Sequence, residues 1–284
     1  KSGGFSCVNI GDANRTIDGD FRLYSNHRRI ISAFISLGFV QLPAVLWRKP
    51  TNSPTKFMGS GMLPAGAYVT LEHEYVLIFR KGGKRRFTTE PARLSRRRSA
   101  LWWEERNQWY SDVWQFKGSR QKHPGAPFSG SRLEKNSSSQ MSVSRGRSGA
   151  FPFELAYRLV HMYAVQGDVV LDPFAGTGTT LFAAMAGARS SVGIEIEPNF
   201  VEFAWQRLLN GRDELNEYCR ERLEQHSAFI EQYTAQKGIP KHYHDFYRFP
   251  VITSQETDIR LPFLSQVSLQ GDGICAHHVW QMEQ

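Results

Sequence analysis

A short glycine-containing segment, Asp172–Thr180 (DPFAGTGTT), has the residue types and spacing of a ligand-binding turn. It follows an apolar run that predicts a strand and leads into Thr179–Ala188, where small and apolar residues predict a helix. Gly176 and Gly178 permit backbone conformations and close approaches that other residues cannot reach. The first N–H groups of the helix have no partner within it and would point at a ligand, with Thr179 as a candidate cap.

An acidic residue stands where such a turn needs one. Ser191–Ile196 predicts a second strand and Pro198–Leu209 a second helix, so the region is a βαβ unit, with Pro198 suited to a first helical turn. In such units an acid at the end of the second strand, about 20 residues on, binds ribose hydroxyls. Glu195 lies 23 positions after Asp172 (195 − 172). Strand alternation puts Glu197 on the same face, and Glu195 is preferred because it is nearer the strand end.

Three known kinds of glycine turn compete for this segment. A dinucleotide-binding GxGxxG needs a third glycine, and a P-loop needs a lysine after its last glycine; the segment has neither. A methyltransferase loop remains, in which backbone amides surround the amino-acid half of S-adenosylmethionine. An ordinary turn between a strand and a helix is the alternative, and the strand, the helix and Glu195 together argue against it.

The elements that must position this turn begin near the N-terminus. Phe5–Ile10, Val40–Trp47 and Glu74–Phe79 predict strands, and Tyr24–Leu37 predicts a helix. Glu154–Ala164 predicts an amphipathic helix just before the βαβ unit. The chain is therefore predicted to be an α/β protein with a doubly wound, Rossmann-like sheet. Leu215–Gln236 is expected to be an exposed helix, and Tyr243–Gln284 to be irregular.

A basic and aromatic stretch separates the two groups of elements. The chain has 35 Lys and Arg against 27 Asp and Glu, a net charge of +8. Residues 80–149 are expected to be irregular, with cations followed by aromatics such as Trp102 and Trp114. Cations hold phosphates and aromatic rings stack on bases, so we predict a nucleic-acid-contacting insert; a solvated basic loop is the alternative. Its predicted contacts are Lys84, Arg85, Arg86, Arg96, Arg97 and Arg98.

Composition excludes other classes of protein. The three cysteines, Cys7, Cys219 and Cys275, form no CxxC pair, so neither a disulfide framework nor a metal site is predicted, and a reducing cytoplasm fits. No apolar run of about 18 residues predicts a membrane span. The N-terminus is not a signal peptide and lacks Met, and we expect residues upstream of Lys1. The oligomeric state is not predicted.

The motifs resemble one family. Leu171–Thr180 followed by Val192–Phe200 (VGIEIEPNF) is similar to the DNA amino-methyltransferases, which modify adenine or cytosine at the exocyclic nitrogen. Phe151–Val160 resembles the family's helix whose start also touches the cofactor, although Ala150-Phe-Pro replaces the commoner His-Pro or Lys-Pro. The resemblance implies S-adenosylmethionine as cofactor, with contacts at Pro152, Phe153, Asp172, Pro173, Phe174, Ala175, Gly176, Thr177, Gly178, Thr179 and Glu195.

The N-terminal part resembles the same family. Residues 3–10, 45–49 and 73–79 look like its strands after the catalytic motif, and their position ahead of the cofactor loop matches the circularly permuted subgroup. Trp47 and Lys49, at a strand end, could then face the target base or the DNA backbone; a core-edge role is the alternative for Trp47. His73 is expected to be structural. The resemblance implies four parts: residues 1–80 of the sheet, a recognition insert at 81–149, a cofactor half at 150–210 and an extension at 211–284.

The family's catalytic tetrapeptide, Asp/Asn/Ser-Pro-Pro-aromatic, is absent from the sequence. Asn52-Ser-Pro-Thr is nearest and lacks the second proline and the aromatic. In the permuted order the motif would precede Gly3, so no catalytic residue is named. The resemblance implies a site-specific methyltransferase acting on duplex DNA in a prokaryotic restriction-modification system. A non-catalytic DNA- or cofactor-binding piece, an RNA methyltransferase and a small-molecule methyltransferase remain alternatives, the last disfavoured by the basic insert.

Overall fold

The computed structural model describes residues 2–49, 59–117 and 151–280, and these form two compact units. The first unit comprises the described residues of Lys1–Phe87 and Asn107–Gly118. The second comprises Thr88–Arg106 and the described residues of Ser119–Gln284. Asn52-Ser-Pro-Thr and most of the second half of the predicted insert lie outside the described residues.

A four-stranded sheet organises the first unit. The order is β1-β5-β4-β6, with β5 antiparallel to β1 and β4, and β6 parallel to β4. Val76 to Phe79 of the inner strand β5 are all buried, which explains their unbroken apolar run. The elements are β1 (Phe5–Ile10), β2 (Ala13–Ile17), β3 (Asp20–Tyr24), α1 (Asn26–Ser36), β4 (Phe39–Arg48), β5 (His73–Lys81) and β6 (Val113–Gln115).

The first unit also contains a hairpin that the sequence analysis did not predict. Strands β2 and β3 pair antiparallel around Asp18-Gly19, and both turn residues have positive φ, 50° and 81°. An Asp-Gly pair at this place is typical of the two-residue hairpin turn whose twist matches that of the strands. The Asp18-Gly19 dipeptide was therefore the available signal for this hairpin.

The second unit contains the βαβ unit. Strands β7 and β8 pair in parallel around α5, so this prediction is confirmed. Two antiparallel pairs, β9 with β10 and β11 with β12, follow the long helix α7. The elements are α2 (Glu90–Arg98), α3 (Trp103–Trp109, whose end belongs to the first unit), α4 (Phe153–Tyr163), β7 (Val169–Asp172), α5 (Thr179–Ala186), β8 (Ser190–Gly193), α6 (Pro198–Asn210), α7 (Arg212–Lys237), β9 (His242–His244), β10 (Phe249–Val251), β11 (Phe263–Gln270) and β12 (Gly273–Val279).

The expectation that residues 80–149 are irregular is wrong for the described part, which forms α2, α3 and β6. Helix α2 has the signals of an N-terminus: the Thr89 hydroxyl accepts a bond from Ala92 N–H at 3.4 Å, and Pro91 stands in the first turn. Glu90 and the arginines of the last turn complement the helix dipole. The high charge of this segment suggested an irregular loop, although the same charges help to stabilise the helix.

Two further expectations about the C-terminal part are corrected. Helix α7 is not simply exposed: Leu215, Cys219, Arg222, His226 and Ile230 are buried, at intervals of three and four residues that put them on one face. Two of the five are polar, so the periodicity of the apolar residues alone did not reveal the face. The region from Tyr243 is not irregular, since it contributes β9 to β12.

A small core joins these C-terminal strands to α7. Trp102, Cys219, Val251, Leu261 and Phe263 pack together, each at most 4% exposed. The sequence signal of these strands is weak because polar groups sit among the apolar ones: His244 is fully buried and hydrogen-bonds the Ile259 carbonyl at 3.0 Å. None of the helices in the described ranges combines the length and apolar character of a membrane crossing.

Candidate cofactor site

The glycine turn links β7 to α5 through two left-handed residues. Gly176 has φ of 51° and Gly178 of 74°. Gly178 is itself the residue that caps α5: its carbonyl accepts the Phe182 N–H at 2.9 Å, and no side chain caps the helix. The expectation that Thr179 caps the helix is wrong, because Thr179 is already the first helical residue. Helix α5 therefore begins directly after a left-handed glycine and has no side-chain hydroxyl as its cap.

The two glycines are required for different reasons. A Cβ on Gly178 would lie 2.9 Å from the Cβ of Ala204, so this glycine lets α6 approach the turn. A Cβ on Gly176 would meet nothing within 4 Å. Gly178 therefore serves packing, whereas the space beside Gly176 is open to a ligand.

Backbone hydrogen bonds attach the turn to the end of β8. Ala175 N–H donates to the Ile194 carbonyl and Ile194 N–H to the Asp172 carbonyl, both at 2.9 Å. The Asp172 carboxylate accepts the Phe174 N–H at 3.0 Å, closing a local turn. These bonds set the turn without using the N–H groups of the first turn of α5.

Glu195 lies directly against the glycine turn. Its carboxylate accepts the N–H of Gly176 at 2.7 Å, of Ile196 at 2.9 Å and of Glu197 at 3.0 Å. These donors, Glu197 foremost, hold the pKa of the Glu195 carboxyl below its usual value. Strand β8 ends at Gly193, earlier than the predicted Ile196, so Glu195 follows the strand.

Glu197, the competing acid, takes another position. It precedes the first residue of α6, Pro198, and its exposed carboxylate accepts a bond from the Asn199 side chain at 3.3 Å. No hydrogen bond joins it to the glycine turn in the described part of the chain. The structure thus brings Glu195, rather than Glu197, to residues 175–178.

The residues at the turn fit the amino-acid and ribose parts of S-adenosylmethionine. The open space at Gly176 adjoins the unpaired N–H groups that begin α5, which suit a carboxylate. A carboxylate has about four acceptor directions. Three of those on Glu195 are in use, which leaves capacity for a hydroxyl. Phe174 and Ile196, next to these residues in the chain, are 87% and 96% exposed and offer apolar surface.

Arg207 is a site residue that the sequence analysis missed. This α6 side chain donates to the Thr179 hydroxyl at 3.0 Å and to the Thr177 carbonyl at 3.4 Å. Its guanidinium lies over the Phe182 ring, 4.5 Å from the centroid, and desolvation lowers its pKa. No motif marked it, because a single arginine on an amphipathic helix is ordinary. Its contacts arise only when α6 packs on the turn.

Pro152 and Phe153, expected at the site from the resemblance, stand at the start of α4. Pro152 precedes the first helical residue, and its carbonyl accepts the Leu155 N–H at 3.1 Å. The Phe153 ring packs edge-on against Phe182 of α5, with centroids 5.7 Å apart. The helix start is therefore tied to the helix that follows the glycine turn.

A groove of about 480 Å³ opens beside Glu195. Of the predicted cofactor residues, Glu195 alone lines it within the described ranges. Its other walls come from Ile196, the α6 side chains Val201 and Trp205, and Leu269 of β11. This is a different face of α6 from the one that carries Ala204 and Arg207, so the groove adjoins the turn without including it.

Two residues predicted to contact nucleic acid are engaged inside the first unit. The expectation for Trp47 is corrected: its ring is fully buried and its Nε1–H donates to the Phe116 carbonyl at 3.0 Å, so it is a core residue. Lys49 forms an ion pair with Glu74, and its ammonium lies 4.3 Å from the centroid of the Trp47 ring. The alternation of β4, which points Trp47 inward, decided this outcome.

The remaining predicted basic contacts divide between the units. Lys84, Arg85 and Arg86 are exposed in the first unit, after β5. Arg96, Arg97 and Arg98 end α2 in the second unit. Arg97 is paired with Glu90 and Asp258, at 3.0 and 2.9 Å. Its charge is therefore partly neutralised within the protein.

Comparisons with known proteins identify the family to which the chain belongs. The described turn, acid and helices define an α/β protein of the S-adenosylmethionine-binding class. A family model described as DNA methylase matches residues 1–206. The chain therefore belongs to the N6/N4 DNA methylase family, and the predicted family, fold class and kind of cofactor are confirmed at that level.

Several relatives are similar over most of the chain. Type II methyltransferase M.MthZI of Methanothermobacter thermautotrophicus is 48% identical over 91% of this chain and 67% of its own length. M.MjaI of Methanocaldococcus jannaschii is 47% identical over 69% of this chain and 58% of its own length. A candidate DNA modification methylase from Thermus thermophilus, solved with S-adenosyl-L-methionine, is 32% identical with a TM-score of 0.53, covering 72% of this chain and 68% of that one. The chain thus spans about two thirds or less of the two curated methyltransferases.

Proposed function

We propose that this protein transfers a methyl group from S-adenosylmethionine to the exocyclic amino group of adenine or cytosine at a specific site in duplex DNA. The observation that carries the proposal is the contact of Glu195 with Gly176, which sets a carboxylate against an open glycine turn. Type II methyltransferases among its relatives support a restriction-modification role and a prokaryotic cytoplasmic location.

The cofactor supplies the chemistry when bound, since its sulfonium methyl is already activated. The chain's own task is then alignment, which is the main source of rate in such a transfer. Residues 172 to 179 would hold the amino-acid end of S-adenosylmethionine, and Glu195 would bind its ribose hydroxyls. Pro152 and Phe153, at the start of α4, would also contact the cofactor. The target base must leave the duplex stack to be reached.

Basic side chains after β5 and at the end of α2 are the proposed DNA contacts. Lys84, Arg85 and Arg86 would bind phosphates from the first unit, and Arg96 and Arg98 from the second. Lys49 would contact DNA only if its ammonium left the ion pair with Glu74 and bound a phosphate instead. Each lost phosphate contact is expected to weaken binding to all sequences alike and to reduce the salt dependence of the affinity.

Calorimetric titration with S-adenosylmethionine tests the cofactor site. Glu195→Gln keeps the shape and removes the charge, and it should weaken affinity about 10-fold to 100-fold, the usual range for a charged hydrogen bond. Glu197→Gln is the matched control, because that carboxylate is exposed and does not touch the turn. Equal affinities for the two variants and the unaltered protein would overturn the assignment of Glu195.

A second candidate function is a non-catalytic cofactor- or DNA-binding piece, which the missing Pro-Pro-aromatic sequence favours. Radiolabelled S-adenosylmethionine incubated with the chain and duplex DNA separates the two. Label in the DNA supports the methyltransferase, and tight cofactor binding with no label supports the binding piece. Parallel reactions with RNA, at equal salt, test an RNA substrate.

A further inference from the structure

Three side chains that are distant in sequence meet inside the second unit. They are Glu104 of α3, His226 of α7 and Glu256 of the loop between β10 and β11. One potential ligand atom from each lies within 4.8 Å of the others. His226 is fully buried, Glu256 is 1% exposed, and the Glu104 side chain is 15% exposed. The cluster is thus an interior feature and not a patch of surface acids.

Unsatisfied polar atoms concentrate at this cluster. Within residues 2–49, 59–117 and 151–280, four buried side-chain nitrogen and oxygen atoms have no hydrogen-bond partner. Two of them, Glu104 Oε2 and His226 Nε2, belong to the cluster. A third, Trp102 Nε1, belongs to the ring that stacks on His226 with centroids 4.0 Å apart. Buried polar atoms are nearly always paired, so Glu104 Oε2 and His226 Nε2 point to a missing ligand, whereas the Trp102 N–H is a donor and cannot bind a cation.

The charges point to a cation. Glu104 Oε1 lies 2.7 Å from His226 Nδ1. Glu256 accepts the N–H of Trp103 at 2.8 Å, and the N–H and hydroxyl of Thr253 at 2.7 and 2.9 Å. Among the described residues no lysine or arginine forms an ion pair with either carboxylate. The His226 imidazole pairs with Glu104, so the charge on the buried Glu256 has no cationic partner among the described residues and is costly unless a positive charge joins it.

We propose that Glu104, His226 and Glu256 form a structural site for a divalent transition-metal ion of the zinc type. An imidazole nitrogen and carboxylate oxygens are ordinary zinc ligands, and three protein ligands leave a position for water. The ion would neutralise the carboxylates. It would also be a partner for Glu104 Oε2 or His226 Nε2, the two atoms of the cluster that lack one. It would tie the start of α3 to α7 and to the C-terminal loop.

The site would stabilise the C-terminal extension, to which neither the sequence motifs nor the family model assigns a role. The family model ends at residue 206, whereas His226 and Glu256 lie beyond it. The proposal is independent of methyl transfer, since no residue of the cluster belongs to the glycine turn. A refuted metal site would therefore leave the proposed methyl transfer standing, and a refuted methyl transfer would leave the proposed metal site standing.

Metal analysis by inductively coupled plasma mass spectrometry tests the site on the full chain, purified without a histidine tag. The expected content is about one zinc per chain, as for a structural zinc site. His226→Gln should reduce it at least five-fold. His277→Gln is the matched control, since that exposed imidazole lies outside the cluster and should not change the content.

Two measurements on the unaltered chain keep the proposal testable if His226→Gln fails to fold. After chelator treatment, Zn²⁺ at about 100 times its dissociation constant should raise the thermal midpoint by about 5 °C or more. Co²⁺ should give a visible absorption band of a low-coordinate site. Less than a tenth of an equivalent of metal, no shift with Zn²⁺ and no Co²⁺ band would overturn the proposal and leave an ordinary hydrogen-bonded cluster.

Discussion

Replacing each glycine of the turn by alanine should separate its packing role from its ligand-binding role. Gly176→Ala places a methyl group in open space and costs only the left-handed φ of 51°, about 1–2 kcal/mol of unfolding free energy. Gly178→Ala carries the same backbone cost at φ of 74°. In addition, its Cβ would lie 2.9 Å from that of Ala204, an overpacking worth about 1–3 kcal/mol.

Urea unfolding followed by circular dichroism measures the difference. Gly178→Ala should be less stable than Gly176→Ala by about 1–3 kcal/mol, the overpacking cost alone. Ala204→Gly costs about 1 kcal/mol in the unaltered protein, because glycine is a poor helix former. Combined with Gly178→Ala it removes the contact, so the double-mutant cycle should show a favourable coupling of about 1–3 kcal/mol.

Cofactor titration should show the larger loss of affinity in Gly176→Ala, although Gly178→Ala is expected to lose more stability. Gly176→Ala fills the space proposed for S-adenosylmethionine and should weaken binding more than Gly178→Ala does, once both are measured below their unfolding temperatures. Equal stabilities of the two alanine variants, or a coupling to Ala204 indistinguishable from zero, would refute the reasoning from α6 packing.

Three other predictions concern the second unit. Arg222→Met should lower the unfolding free energy by about 3–5 kcal/mol because it leaves Glu105 buried without its paired guanidinium, and adding Glu105→Gln should recover part of that loss in the same urea assay. Burial raises the pKa of the Cys219 thiol to about 11, so this thiol stays protonated at pH 8. In a Cys7→Ser variant, Cys219 should react with Ellman's reagent only after unfolding, whereas the partly exposed Cys275 should react in the native protein; fast reaction of both remaining thiols would contradict this. A lysine at position 207 cannot keep both hydrogen bonds to the glycine turn and the stacking on the Phe182 ring. Arg207→Lys should therefore lower the affinity for S-adenosylmethionine several-fold with little change in the unfolding midpoint. Unchanged affinity would limit Arg207 to a packing role.

The sequence alone determined the local architecture of the glycine turn. Strand, turn and helix are encoded by neighbouring residues, since apolar runs, glycines and a small-residue helix need no distant partner to be recognised. The same holds for β1, α1, β4 and β5, which the structure places within a few residues of their predicted ends. Glu195 was also within reach, because its distance from Asp172 is a property of a short βαβ unit.

Tertiary structure decided what the polar and aromatic side chains do. Trp47 looked available for a base in the sequence, but the pairing of β4 buries it. Arg207 and the Glu104–His226–Glu256 cluster combine groups up to 152 positions apart (256 − 104), and no local pattern records such meetings. Helix α7 buries charged groups that look solvent-facing, because Arg222 finds Glu105 only after folding. Local backbone geometry depends on neighbouring residues and can be predicted from the sequence, whereas burial and charge pairing depend on which distant segments pack together.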